Sequence, residues 1–183
     1  DIMFWYEDIV LNKDLTPVIP RVWMPGGELM KLEKVDDYTV RLSFAKSNPT
    51  VINYMVYWGT MWWAFFAPKH YLSKWHIKYN PDADKLTQEE GQDHWWQAFG
   101  AHRNVSDFGQ QDLDSPCISP WVLTKVTPSY RVYERNPYYW GVDPEWNQLP
   151  YIDKVVCEIV ESAEVYNMKV ISGDADIAGM ILR

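Results

Sequence analysis

The chain has 183 residues, which is enough to bury one substantial core or two small ones. Its formal net charge is −8 and its lysines and arginines are scattered, so nucleic acid is excluded as a partner. No apolar run reaches the length of about 18 residues that a membrane-spanning helix needs. The 11 tryptophans and 12 tyrosines exceed what packing requires, which indicates a role in recognition.

The first segment, residues 2–10, has the residue spacing of a helix that buries one face. Only Asp1 precedes this pattern to serve as a helix cap, so we expect the chain to be part of a longer protein. The apolar residues that recur at steps of three and four are Ile2, Trp5, Tyr6, Ile9 and Val10.

A β-hairpin is predicted next, after a segment rich in proline and glycine. Val40, Leu42 and Phe44 alternate with polar residues, and the Asp36-Asp37 pair supplies the turn.

Three helices are predicted after the hairpin. The first covers residues 49–59 and the second is the short segment "APKHYLSKW". The third is "TQEEGQDHWWQAFG", with Thr87 as its cap, acidic residues in its first turn and Gly100 at its end.

The sequence pattern of the last third of the chain differs from that of the preceding residues. It predicts a β-α-β unit. Residues 121–135 contain two short strands separated at Pro128, and "KVVCEIV" is apolar enough for a strand buried on both faces. Ser162 caps a helix that ends at Gly173, and "DADIAGMIL" begins another strand.

The aromatic stretch before this unit, "ERNPYYWGVDPEWNQLPYID", has two interpretations. We expect Tyr138, Tyr139 and Trp140 to pack this connection between two strands onto the neighbouring sheet. The alternative is that the three rings form a platform for a ligand. In the pairs Trp62-Trp63 and Trp95-Trp96, adjacent helical residues point about 100° apart, so each pair can bury one ring and expose the other.

Residues of the types that carry catalysis or bind metals form no strong motif. The four histidines lack the four-residue step of zinc proteases. Asp107, Asp112 and Asp114 lack the residue order of a calcium loop, so a solvated loop is expected. Cys117 and Cys157 are either two free thiols or a disulfide, and the sequence leaves both open.

Four segments resemble one known family, in the family's order. "DIMFWYEDI", "KVDDYTVRLSF" and "APKHYL" are similar to its helix, hairpin and Pro-Lys-His helix. "YERNPYYWG…LPYIDKVVCEIVESAEVYNMKVISGDADIAG" is similar to its most recognisable block. The family is the extracellular solute-binding proteins of family 5, which serve ABC importers of peptides, nickel chelates and oligosaccharides. The insertion "VDPEWNQLPYID" resembles longer, often sugar-associated members, although Trp146 stands where the resemblance predicts glycine.

The resemblance implies an α+β chain with a partial periplasmic-binding-protein fold of type II-like architecture. Residues 1–118 would form part of the accessory lobe, and residues 119–183 the β-α-β part of the first solute-binding lobe. The resemblance places the ligand-binding residues near the opening of the final strand and at the lobe junction, and it implies no catalytic, metal or cofactor residues. The expected ligand-binding residues are Trp121, Asp176, Gly179 and Met180.

By resemblance, the function is capture of an extracytoplasmic solute for the permease of an ABC importer. The protein would be periplasmic or lipid-anchored at the cell surface, and oligosaccharide is favoured slightly over oligopeptide. We expect the chain alone to bind no solute measurably, and its bare strand edges to favour self-association. The alternatives are a carbohydrate-binding module, which predicts a β-sandwich, or a glycoside hydrolase fragment using Glu158 and Glu161.

Overall fold

A computed structural model describes residues 1–56, 65, 67–103 and 111–178. The chain divides into two compact units, Asp1–Cys117 (unit 1) and Ile118–Arg183 (unit 2). Each unit contains both helices and strands, so the predicted α+β class is confirmed. The division falls beside the predicted boundary at residue 118, whereas the assignment of the two units to lobes stays a prediction.

Unit 1 is mostly helical with one hairpin. Short 3-10 helices at Arg21–Trp23, Pro25–Gly27 and Ser73–Trp75 supplement its longer elements. Those elements are α1 (Ile2–Phe4) with its π-helical continuation (Trp5–Val10), β1 (Lys31–Lys34), β2 (Val40–Ser43), α2 (Val51–Val56), α3 (Lys69–Leu72), α4 (Ala83–Glu89) and α5 (Trp95–Arg103).

The core of unit 1 is built largely from aromatic rings. The indoles of Trp5 and Trp23 meet edge to face, with their centroids 5.4 Å apart. The ring centroids of Phe4 and Phe99 lie 6.3 Å apart, and both rings are buried. Such tilted and edge-to-face pairs stabilise a core by about 0.5–1.5 kcal/mol each beyond area burial. Much of the aromatic excess in this unit therefore packs its interior.

Three predictions for unit 1 are confirmed. The first segment is helical from Ile2 to Val10, and the hairpin pairs β1 with β2 antiparallel, so that Leu32 lies opposite Leu42. The "APKHYLSKW" segment contains α3 followed by a 3-10 turn. The helix predicted over 49–59 is present as α2, and its last three residues lie outside the described ones.

The helix predicted from Thr87 to Gly100 is wrong, because two helices share this segment. Thr87 lies inside α4, fully buried, and its Oγ1 atom donates to the Ala83 carbonyl at 2.8 Å instead of capping. Gly91 adopts a φ of 78°, which ends the first helix. The second helix, α5, then continues through Gly100 to Arg103.

Unit 2 is organised around a three-stranded antiparallel sheet. Its strands are β3 (Trp121–Val126), β4 (Tyr130–Arg135) and β5 (Lys154–Glu158), in the order β3-β4-β5. The predicted pair of strands around Pro128 is therefore confirmed. A register shift interrupts the pairing of β3 with β4 between Leu123 and Lys125.

The prediction that β5 is buried on both faces is wrong in this chain. Lys154, Val156 and Glu158 are exposed, and Val155 and Cys157 are only half-buried. Val156 keeps 54% of its surface in contact with solvent. The apolar sequence predicts neighbours on both faces, and the described residues leave one face largely open.

The helix after β5 follows its sequence signals closely. It is α6 (Ala163–Ser172), and the Ser162 side chain accepts from the Val165 N–H at 3.3 Å. Gly173 ends it with a φ of 81°, the left-handed geometry that glycine adopts without strain.

The strand predicted after α6 is absent from residues 174–178, which are irregular. The remainder of that prediction lies outside the described residues. The described part of unit 2 thus shows the β-α portion of the predicted β-α-β unit. It is also not the β-sandwich that a carbohydrate-binding module would require.

Across the described ranges, no helix is long and apolar enough to cross a membrane.

Candidate functional site

The most exposed aromatic surface of unit 2 lies on residues 137–152, here called the aromatic loop. Tyr138 is 91% exposed and Trp146 83% exposed, and Trp140 and Tyr151 are also largely open to solvent. The prediction that Tyr138 and Trp140 pack onto the sheet is therefore wrong. Tyr139 alone of the three predicted rings is half-buried, and its centroid lies 5.4 Å from that of Trp140.

Asp143 organises this loop through hydrogen bonds. Its carboxylate accepts from the N–H groups of Glu145 and Asn147, each at 2.8 Å, and from the Tyr151 hydroxyl at 2.6 Å. These bonds, led by the one from Tyr151, lower the pKa of Asp143 to about 2. Asp143 therefore stays ionised over the ordinary pH range.

Further bonds close the loop at its base. Gln148 donates from Nε2 to the carbonyls of Pro137 and Tyr139, both at 2.8 Å. Val142 pairs with Gln148 across an isolated β-bridge. The aromatic rings thus stand on a backbone that is already ordered, which reduces the entropy lost when a ligand binds.

Trp146 occupies a backbone conformation that side chains disfavour. Its φ is 68°, and it is the only non-glycine residue with positive φ among the described residues. This is also the position at which the family resemblance predicts glycine. A left-handed backbone costs an L-residue about 1–2 kcal/mol, so this tryptophan is held in place by the loop around it.

The loop offers flat ring faces beside carboxylate and amide groups. Ring faces pack against the apolar faces of sugars or side chains, and Asp143, Glu145 and Asn147 supply polar groups beside them. The arrangement suits recognition by contact, without covalent chemistry.

Two of the four predicted ligand-binding residues, Trp121 and Asp176, lie in the described part of unit 2. Trp121 begins β3, and its indole Nε1 donates to the Ile152 carbonyl at 3.0 Å. Asp176 is exposed in the irregular segment after α6. Gly179 and Met180 lie outside the described residues. Trp121 is thus tied to the end of the aromatic loop, a link that the sequence did not indicate.

A concavity of about 380 Å³ lies beside β5 and α6. Tyr130, Val156 and Ile159 contribute to its lining, and Lys169 contacts Glu158 there at 2.6 Å. A glycoside hydrolase fragment would use Glu158 as one of its two carboxylates. In the structure its carboxylate forms an ion pair with Lys169, and both Glu158 and Glu161 are exposed on the surface.

Unit 1 contains a polar cluster that the sequence analysis missed. Both ring nitrogens of His102 face carboxylates: Nδ1 lies 2.6 Å from Asp112 and Nε2 lies 3.0 Å from Glu90. The ring stacks on Trp75 with a centroid distance of 3.6 Å. No local sequence signal joins these residues, because their contacts span ten or more positions.

Asp112 receives a second hydrogen bond, from the hydroxyl of Tyr71. Burial by itself raises the pKa of Asp112, but the bonds from His102 and Tyr71 outweigh it and lower that pKa. Burial and the neighbouring Asp112 raise the pKa of Tyr71. The predicted solvated loop is thus wrong for Asp112, whereas Asp114 is exposed and Asp107 lies outside the described residues.

Among the described residues, the structure gives little support for a disulfide or for a metal site. Cys117 and Cys157 are half-buried and form no disulfide with each other, and burial raises the pKa of Cys157. Within residues 1–56, 65, 67–103 and 111–178, no three His, Cys, Asp or Glu side chains come together as a metal site. Of the paired tryptophans, Trp95 is buried and Trp96 exposed, as predicted, and Trp62-Trp63 lies outside the described residues.

Comparison with known proteins decides the family. Residues 1–182 match the family described as bacterial extracellular solute-binding proteins, family 5 Middle. The chain belongs to this family. The fold is therefore part of a periplasmic-binding-protein fold, as the resemblance implied.

The chain resembles relatives that are named for a saccharide and a relative that is named for an oligopeptide. The periplasmic alpha-galactoside-binding protein of Rhizobium meliloti (strain 1021) is 28% identical over 181 residues, covering 98% of this chain and 23% of the relative. A solved structure of an oligopeptide-binding protein OppA is 38% identical, with a TM-score of 0.79 over 97% of this chain and 27% of that one.

A third relative is the periplasmic binding protein MelB of Agrobacterium fabrum C58, solved in complex with stachyose. It is 28% identical, with a TM-score of 0.67 over 96% of this chain and 24% of that one. The chain therefore spans about a quarter of the length of the relatives that it matches. All three relatives are named as binding proteins.

Proposed function

We propose that this chain is part of a protein that captures a solute outside the cytoplasm and delivers it to the permease of an ABC importer. The match to the family over residues 1–182 carries the proposal. Capture would proceed by closure of two lobes over the ligand, a conformational change without covalent chemistry. The protein would be periplasmic or lipid-anchored at the cell surface.

We favour an oligosaccharide as the solute. Two relatives are named for an alpha-galactoside or solved with stachyose. The ordered aromatic loop gives additional support, since exposed tryptophan and tyrosine faces beside carboxylates suit pyranose rings. The chain's own contacts with the solute would come from Trp121, Asp176, Gly179 and Met180.

An oligopeptide is the second candidate. The observation in its favour is the OppA structure, which has 38% identity and a TM-score of 0.79 with this chain. The aromatic surface is compatible with peptide side chains as well. A binding experiment is therefore needed to distinguish the two solutes, because the fold suits both.

Native mass spectrometry of the protein purified from its host without refolding tests the proposal. A bound mass in hexose steps supports the oligosaccharide, and a spread of peptide masses supports the second candidate. A protein that carries no solute and binds neither stachyose nor oligopeptides in calorimetry contradicts both. Cleavage of an offered glycan would contradict a purely binding role.

Site assignment needs a matched pair of variants in the same protein. Asp176→Asn removes an exposed carboxylate at the proposed site, so it should weaken solute binding about tenfold or more. Asp174→Asn makes the same change two residues away, where Oδ2 accepts from the Ser172 hydroxyl at 2.8 Å. If the two variants bind the solute with equal affinity, Asp176 is not part of the binding site. The chain of 183 residues alone should bind no solute measurably.

A further inference from the structure

Asp143 holds Trp146 in its disfavoured backbone conformation. The Asp143 carbonyl accepts from the Trp146 N–H at 3.0 Å. Its carboxylate Oδ1 atom accepts from the N–H groups of Glu145 and Asn147, each at 2.8 Å. Three consecutive N–H groups therefore converge on one residue, and the positive φ of Trp146 lies at the centre of this turn. Backbone strain of this kind persists only where the surrounding bonds enforce it.

The other carboxylate oxygen of Asp143 joins this turn to the end of the aromatic loop. Oδ2 accepts from the Tyr151 hydroxyl at 2.6 Å. The carbonyl of the next residue, Ile152, accepts from the indole of Trp121 at 3.0 Å. One network of hydrogen bonds, all between residues 121 and 152, therefore links Trp121, a predicted ligand-binding residue, to the turn that carries Trp146.

The strain at Trp146 favours a role in recognition over a role in the fold of this unit. Glycine would adopt a φ of 68° freely, whereas tryptophan adopts it at a cost. The ring of Trp146 is largely exposed, so within the described residues its packing does little to offset that cost. A bulky side chain that is kept in a strained conformation points to a function of the side chain itself.

From this geometry, we propose that Asp143 and Tyr151 are positioning residues for solute capture, and that they fix the ring of Trp146 against a pyranose ring of the solute. The inference rests on the proposed function, because it takes an oligosaccharide as the solute. An indole face covers the apolar face of a sugar, and the side chains of Glu145 and Asn147 supply hydrogen-bonding groups for its hydroxyls. A ring that is fixed before binding loses less entropy when the sugar packs on it.

A double-mutant cycle tests the proposal in the solute-binding protein of which this chain is part, with stachyose as the probe in calorimetry. Tyr151→Phe removes only the hydroxyl that bonds Asp143, so affinity should fall about threefold. Trp146→Ala removes the stacking ring and should lower affinity about threefold to tenfold. The double variant should bind stachyose as weakly as Trp146→Ala alone, because Tyr151 acts through the ring that is already absent.

Tyr138→Phe is the matched control. It removes the same hydroxyl from another exposed ring of the aromatic loop and should leave the affinity for stachyose unchanged. Urea unfolding of every variant separates binding from stability. If Tyr151→Phe lowers stability but not affinity, its bond to Asp143 serves the fold alone and the inference is wrong. Additive losses in the double variant also contradict it, since Tyr151 would then act independently of Trp146.

Failure of the proposed function gives a different result. If the unmodified protein carries no mass in hexose steps and binds no stachyose, oligosaccharide capture is wrong, and the inference fails with it. If the unmodified protein binds stachyose and both single variants bind it equally tightly, only the positioning role is wrong. A loss in each single variant, with no further loss in the double variant, supports the inference.

Discussion

The Nε2 atom of His76 lies 3.2 Å from the main-chain oxygen of Asp8, joining α1's continuation to a residue 68 positions later. The Nδ1 atom of the same ring accepts from the Lys78 N–H at 3.2 Å. A ring that accepts at Nδ1 and donates at Nε2 is neutral. His76 is only 1% exposed, and burial lowers its pKa from the ordinary value of 6.5.

This lowered pKa predicts that acidification destabilises unit 1. The unfolded chain takes up a proton near pH 6.5, whereas the folded chain takes it up only at lower pH. Between these two pKa values the unfolded state holds more protons, so the free energy of unfolding falls as the pH falls. The slope for this single group is at most about 1.4 kcal/mol per pH unit. Urea unfolding at several pH values measures it.

A variant without the titrating ring isolates this contribution. His76→Gln should be less stable than the unmodified chain near neutral pH, but its stability should fall less steeply between pH 6.5 and the lowered pKa. His70 is exposed on α3, so His70→Gln is the matched control and should keep the original slope. Equal slopes in all three proteins would assign the pH dependence to other groups.

Asp8 itself should be a strong determinant of stability. Its buried carboxylate accepts from Lys78 at 2.5 Å and from the Tyr79 hydroxyl at 2.6 Å. Burial raises the pKa of Asp8, but these two bonds outweigh it and lower that pKa from 3.8. Its stabilising effect is therefore lost only as the pH falls below about 4, a window separate from that of His76.

Replacing Asp8 by asparagine keeps its shape and removes its charge. Hydrogen bonds to a charged group stabilise by about 1.5–3 kcal/mol each, so Asp8→Asn should cost about 2 kcal/mol or more in urea unfolding. The neighbouring Glu7 is exposed, and Glu7→Gln should cost less than about 0.5 kcal/mol. A similar cost for both variants would mean that the buried ion pair contributes no net stability.

The elements that the sequence predicted well have local causes. Ser162 and Gly173 bound α6 because a capping hydroxyl and a left-handed glycine act within a few residues. Thr87 was misassigned for the same reason: a threonine followed by acidic residues resembles a cap, but here tertiary packing buries it inside α4. Local signals therefore predict the ends of an element where no distant contact competes, and they fail where tertiary packing uses the same residue.

Contacts between distant residues could not be predicted in this way. His76 and His102 have no neighbouring sequence pattern that names Asp8, Asp112 or Glu90 as partners. The exposure of β5 was likewise mispredicted, because an apolar run indicates what a strand needs and not which neighbours are present. For the predicted binding residues, the sequence supplied a resemblance, and binding experiments must test them.

His102 provides a test of the missed polar cluster. His102→Phe keeps a flat ring against Trp75 but removes the two ring nitrogens that face Asp112 and Glu90. Losing charge-assisted bonds in this half-buried site should cost about 2 kcal/mol in urea unfolding. His94 also stacks on a tryptophan, with its centroid 5.6 Å from Trp96, but lies at the surface.

His94→Phe is therefore the matched control for the loss of a stacked imidazole. It should change the free energy of unfolding by less than about 0.5 kcal/mol. If His102→Phe changes the free energy of unfolding as little as His94→Phe does, water stabilises the carboxylates of Asp112 and Glu90 as well as the imidazole does.

Trp146 links backbone strain to recognition, and the two roles can be measured separately. Its φ of 68° predicts that Trp146→Gly stabilises unit 2 by about 1 kcal/mol, since glycine adopts this geometry freely. Trp146→Ala removes the same ring but keeps Cβ, so the strain stays and stability should change by less than about 0.5 kcal/mol. Urea unfolding followed by circular dichroism distinguishes the two variants.

If the ring contacts the solute, both Trp146 variants lose affinity to a similar extent although only the glycine variant gains stability. Stacking on a large aromatic ring contributes about 0.5–1.5 kcal/mol, so a loss of about threefold to tenfold is expected in calorimetry of the solute-binding protein. Trp96→Ala, an exposed tryptophan of unit 1, is the matched control and should leave affinity unchanged. Unchanged affinity with increased stability in Trp146→Gly would mean that the tryptophan strains the loop without serving solute capture.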